Sequence, residues 1–123
     1  MAKPCDFTKA MEMLPHLAHC AKERRKITYG ELGALVDVFP LYMTKPLDVL
    51  RDRILLEHHL PRIDALVVNQ ETGEVGEHFY AEGFGSMSAE ERTSLLDYER
   101  QKVFDYPRWD EIIGNLQRHY GCP

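Results

Sequence analysis

Thr28 and Glu31 stand three residues apart within the hexapeptide Ile27-Thr28-Tyr29-Gly30-Glu31-Leu32, just ahead of an apolar run. A threonine hydroxyl that accepts from the third helical amide, with a glutamate reaching back to the threonine's own N–H, satisfies two donors that a helix start leaves orphaned. The pair therefore marks where a helix begins, and the remaining elements are read outward from it. Leu32, Leu35, Val36 and Phe39 are expected to form its buried face, and Pro40 to stop it.

A second short helix is expected after a turn at residues 41–44. Thr44 is read as its cap, Pro46 as its first helical residue, and Leu47, Leu50, Ile54 and Leu55 as its apolar stripe, to about His59. Two short helices joined by a tight turn make a helix-turn-helix. Leu60-Pro61 ends the pair, and residues 63–69 form an apolar, β-branched run that reads as a strand. A turn at 71–74 and a return strand over 75–80 would complete a hairpin. Before this core, residues 6–25 carry apolar side chains at helical spacing, interrupted by Pro15, which predicts a kink or two short helices. After it come a loop with Gly83 and Gly85, a helix that Ser88 opens and that runs to about Phe104, and a last helix from Trp109 to about Tyr120.

The expected fold class is thus α+β, mainly helical, in one domain. Residues 1–26 are an N-terminal helical segment, 27–80 a winged-helix-like core of helix-turn-helix plus hairpin, and 88–120 two C-terminal helices.

With 123 residues the chain can bury a core without a metal or disulfide staple, and 44% apolar against 28% charged residues excludes a disordered class. Three scattered cysteines, Cys5, Cys20 and Cys122, are not a disulfide framework. They point to a cytoplasmic protein, and no apolar stretch approaches the roughly 18 residues that span a bilayer. The net charge of −5 is unevenly placed: residues 20–62 carry eight basic and six acidic side chains, residues 63–123 five and twelve. The helix-turn-helix is mildly basic, and the C-terminal half is acidic.

Residues 27–79 resemble the C-terminal domain of the O6-alkylguanine DNA alkyltransferases and the alkyltransferase-like proteins. The likeness rests on Ile-Thr-Tyr-Gly-Glu-Leu before a helix, a second helix, Leu60-Pro61, and the run from Val67-Val68 to Gly73 and Gly76. It implies that Tyr29 contacts the phosphate beside a flipped base, and that Lys45 stands near the family's duplex-intruding arginine. Lysine supplies that charge without the planar fork. Where the alkyltransferases carry Pro-Cys-His-Arg, this chain has Pro61-Arg62-Ile63-Asp64. Alkyl transfer requires a thiolate acceptor, so that activity is rejected here.

Other constellations are weighed against plainer roles. His16 and Cys20 lie one helical turn apart, but two ligands do not make a zinc site, and the expectation is no metal and no cofactor. The run Lys22, Arg24, Arg25, Lys26 is read as complementing a helix end in preference to binding phosphate. His58-His59 lacks a partner that spacing can place. Tyr98, Phe104, Tyr106 and Trp109 are read as packing between the last helices.

An enzyme would need a pocket in which His58 or His59 meets Asp64 or Glu77, and the two leading functions are not enzymatic. In the first, the protein contacts duplex DNA through Thr28, Tyr29, Thr44, Lys45, Arg51 and Arg53, the last two expected on the exposed side of the second helix with Lys45. In the second, it is a protein-interaction module that docks through the acidic C-terminal helices or the hairpin edge.

Overall fold

The computed structural model describes residues 6–75 and 87–120. Its elements are α1 (Asp6–Lys22), β1 (Ile27–Thr28), α2 (Tyr29–Val36), a 3-10 turn (Pro40–Tyr42), α3 (Thr44–Val49), a π-helical turn (Leu50–Leu55), a second 3-10 turn (Ile63–Leu66), β2 (Val67–Val68), α4 (Ala89–Asp105) and α5 (Trp109–Tyr120). Among the described residues the fold is mainly helical, with one small sheet.

Helix α1 is the centre of the molecule and touches α2, α3, α4 and α5. Ala10, Met11, Met13, Leu14, Leu17, Ala18, Cys20 and Ala21 are all buried, a stripe broad enough to be enclosed on several sides. Each leucine so buried contributes about 1.5–3 kcal/mol. The break expected at Pro15 is absent, and Asp6–Lys22 is one helix. Pro15 is exposed, so its ring meets solvent and the helix forgoes only the bond to the Met11 carbonyl. Buried side chains before and after Pro15 hold the two halves to the same core.

The capping box forms as expected. Glu31 N–H donates to Thr28 Oγ1 at 3.1 Å, and Thr28 N–H donates to Glu31 Oε1 at 3.0 Å. Helix α2 ends earlier than Pro40 would end it. Asp37 adopts a left-handed conformation, with φ 61°, and its N–H returns to the Gly33 carbonyl. Phe39 therefore lies beyond the helix, and Leu35 faces outward, so the buried face is Leu32, Gly33 and Val36 alone.

Thr44 is not a cap. The chain is already helical at Met43 (φ −73°, ψ −23°), whereas a capping residue needs an extended backbone. Thr44 is the first residue of α3 and Pro46 the third, where a missing N–H still costs no intrahelical bond. The helix then widens: Leu56 N–H bonds to Arg51 O at 2.8 Å, and Leu60 N–H to Leu55 O at 2.8 Å. The consecutive Ile54 and Leu55 are both fully buried there. His59, with φ 56°, turns the chain away.

The largest departure concerns the strand expected at 63–69. Ile63–Leu66 is a 3-10 turn, and only Val67–Val68 is extended. That strand pairs in parallel with β1, in the register Ile27 to Val67 and Thr28 to Val68. Both valines are buried, as suits a parallel strand covered on two faces, and the alternation of a half-exposed hairpin is missing. The turn at Asn69–Glu74 does double the chain back, with Asn69 N–H bonded to Glu74 O at 2.7 Å and Gly73 N–H to Asn69 O at 2.8 Å. Residues 76–86, which hold most of the expected return strand and the loop with Gly83 and Gly85, lie outside the described residues.

Ser88 and Glu91 form a second capping box at the start of α4. Trp109 is buried at the start of α5 and donates from Nε1 to Val103 O at 3.1 Å, which fixes the α4–α5 corner. Tyr106 packs edge-on against it at 4.8 Å. No helix among the described residues is long and apolar enough to cross a membrane.

Candidate interaction surface

Gly33 sets the geometry of the α2–α3 connection. A Cβ at this position would meet the Val38 backbone carbonyl oxygen at 2.3 Å, so only glycine admits the returning chain. Val38 N–H bonds back to Gly33 O at 2.8 Å, and Lys9 Nζ of α1 donates to Val36 O at 2.7 Å. The carbonyls at the end of α2 thus find partners, one of them a cation suited to the negative helix end.

This sharp exit brings Met43 into the core with no exposure and leaves its neighbours outside. Phe39 is 74% exposed, Leu41 81%, Tyr42 64% and Leu35 54%. Phe39, Leu41 and Tyr42, with Asp37, Thr44 and Lys45, line an open groove of about 1010 Å³ against the start of α1. Large apolar side chains scattered singly on a surface are ordinary, but several around one groove mark a contact site.

The six residues expected to touch DNA are dispersed. Thr44 and Lys45 are exposed and share the groove. Thr28 has its hydroxyl engaged in the capping box, and the half-buried Tyr29 packs against the core. Arg51 is not on the exposed side: its side chain is 13% exposed and forks onto Asp52 at 2.7 and 3.0 Å, with Asp48 at 3.4 Å. That hydrogen-bonded pair holds the Asp52 carboxyl below its usual range. Arg53 turns toward α1, its guanidinium carbon 5.1 Å from the Phe7 ring centre. The separation follows from helical geometry, since Arg51 and Arg53 are two residues apart in the turn and so face nearly opposite sides of it.

Elsewhere the basic and acidic parts of the sequence meet. Lys22 pairs with Asp110, and Arg24 with Asp105 at 3.1 Å, joining the end of α1 to α5 and α4. Two carboxylates of the acidic C-terminal helices are therefore already matched by cations of the same chain.

Among the described residues the chemistry weighed at other positions does not assemble. His58 Nε2 is 2.7 Å from the Tyr120 hydroxyl, and the buried Asp64 is clasped by Arg62 at 2.9 and 2.8 Å, so histidine and aspartate have different partners. Glu77 lies outside the described residues. Burial pushes the Cys20 thiol up, away from a reactive thiolate. Among the described residues no three His, Cys, Asp or Glu side chains are grouped to hold a metal ion.

No family model matches this sequence, and neither a curated protein nor a solved structure matches it. Sequence reasoning found Thr44 and Lys45 but assigned Phe39 to the core and gave Leu41 and Tyr42 no role. The available signal was Asp37, a residue that tolerates the left-handed conformation and can end a helix before Pro40 does.

Proposed function

We propose that this protein is a non-enzymatic interaction module whose α2–α3 pair serves as a helix-turn-helix scaffold and docks a partner protein through its connecting turn. The observation that carries this reading is the exposure of Phe39, Leu41 and Tyr42 around one groove, beside a fully buried Met43. Interface centres are enriched in aromatic side chains and poor in charge, and this turn has that composition. The partner's complementary surface is aliphatic or aromatic, with a carboxylate placed to meet Lys45. The test is affinity capture on nuclease-treated extract, followed by titration of the captured protein against wild type and a Phe39→Ser, Leu41→Ser double variant. The proposal expects a defined partner whose affinity falls at least tenfold in the variant, a loss of about 1.4 kcal/mol. Equal capture by both proteins would overturn it.

A second reading, duplex DNA binding through the same turn, is favoured by Thr44 and Lys45 standing exposed at the N-terminal end of α3. It also draws on the resemblance of residues 27–79 to the alkyltransferase-like proteins. Against it, Arg51 is tied to carboxylates, so few cations remain to neutralise phosphates. A random 20-base-pair duplex titrated at two salt concentrations separates the readings. Salt-dependent binding that Lys45→Gln abolishes supports DNA, and no binding at low salt removes it.

A further inference from the structure

Between the α1–β1 connection and α4 lies a second concavity, of about 350 Å³, away from the α2–α3 turn. Its walls carry Arg24, Arg25 and Lys26 from one segment and Arg100 from the other, with Gln101 and Phe104 beside them. Among the described residues, Asp97 is the one carboxylate that lines it. In a chain of net charge −5, four cations drawn from positions some 75 residues apart converge on one cleft.

The arrangement is fixed by the backbone. Arg24 is left-handed, with φ 53°, and the turn is closed by Arg24 N–H to Ala21 O at 3.1 Å and Arg25 N–H to Cys20 O at 3.0 Å. These bonds satisfy carbonyls at the end of α1 from the backbone, and the basic side chains add only their charge there. Arg100 is anchored by its Nε–H, which donates to Ala65 O at 3.0 Å. Asp105 positions the rim: it accepts from Gln101 at 2.8 Å and from Arg24 at 3.1 Å, and Arg24 lies 5.9 Å from the Phe104 ring centre.

The carboxylates that pair with Arg24 and Arg25 are exposed ones. Arg24 meets Asp105, and Arg25 meets Glu23 at 2.6 Å, both pairs open to water. Exposed pairs contribute about 0–1 kcal/mol, so a multiply charged anion can replace them. Guanidinium groups match phosphate oxygens through paired N–H donors, and the exposed Lys26 adds a point charge.

We propose that this cleft binds the phosphate groups of a small phosphorylated ligand, a monoester or a diphosphate, with the organic part against Phe104. The size of the cleft suits one or two phosphates. This site is separate from the docking groove, and its failure would leave the proposed function untouched.

The experiment is a titration of the intact protein with inorganic pyrophosphate, followed by backbone amide shifts and by calorimetry, with potassium sulfate and potassium chloride at matched ionic strength. The site predicts saturable one-to-one binding, with shifts clustered at residues 24–26 and 97–104. Replacing Lys26→Gln together with Arg25→Gln should weaken it at least tenfold, about 1.4 kcal/mol, while Lys45→Gln leaves it unchanged. Both variants alter exposed side chains, and far-UV circular dichroism verifies that they fold. The proposal is overturned if pyrophosphate gives no saturable signal beyond the matched salts, or if Lys45→Gln weakens binding as much as the double variant does.

Discussion

Tyr42 and Met43 are neighbours in sequence and opposites in the fold. Tyr42 is 64% exposed, whereas Met43 is fully buried against α2 and close to Gly33. The same division runs through the whole α2–α3 connection. Gly33, Met43 and Leu47 form a close-packed inner side, and Leu35, Phe39, Leu41 and Tyr42 form an apolar outer side that the chain does not cover. Apolar character alone did not decide burial here; the left-handed exit at Asp37 did. Inner residues should therefore control stability and outer residues association, and substitutions on each side can break that division.

The largest effect is expected at Met43. Truncation to alanine leaves a cavity against α2, and Met43→Ala should lower the unfolding free energy by about 2–5 kcal/mol in a urea titration. Gly33→Ala comes next. Its Cβ would stand 2.3 Å from a backbone oxygen, so the turn must open, at about 1–3 kcal/mol. If Gly33→Ala proved neutral, Asp37 would not be the residue that directs the chain outward.

Thr28→Ala removes a cap and should cost about 0.5–2 kcal/mol. Its partner brings a pH dependence of known sign. The Thr28 backbone N–H, then the Thr28 side chain, hold the Glu31 carboxyl below its ordinary 4.5. A carboxyl depressed on folding stabilises above its unfolded value, and that contribution is lost as pH falls through the folded one. Wild type should thus lead Glu31→Gln by a constant margin at neutral pH, and the margin should shrink once pH drops below 4.5. A margin unchanged down to full protonation would show that the carboxylate charge plays no part in the cap.

The Thr28 capping box and the helix start at Ser88 were legible in the sequence because their physics is local: a hydroxyl and a carboxylate three residues apart need nothing from the rest of the chain. The stripe Leu47, Leu50, Ile54 and Leu55 was legible for the same reason, even though a π turn replaced the expected regular helix. Parallel pairing of Val67–Val68 with Ile27–Thr28 was not, since a short β-branched run names no partner and the partner lies 40 residues away. Nor was the fate of the charges. Segregated basic and acidic halves did not name the pairs in which Lys22 and Arg24 fold onto Asp110 and Asp105. At the candidate surface, Thr44 and Lys45 were visible as polar residues at a helix start. Phe39 was hidden because Asp37, ahead of Pro40, ends the helix.

The smallest stability effect tests the outer side most directly. Phe39 and Leu41 make few intramolecular contacts at 74% and 81% exposure, so serine at both positions should change the unfolding free energy by no more than about 0.5 kcal/mol. The same double variant should show higher solubility and weaker binding of a hydrophobic dye than wild type, because it removes most of the apolar surface around the groove. A loss of several kcal/mol would mean that these side chains support the fold, and the inner and outer sides would then not be separable. An unchanged stability with unchanged dye binding would place the exposed apolar surface elsewhere and remove the physical ground for docking at this turn.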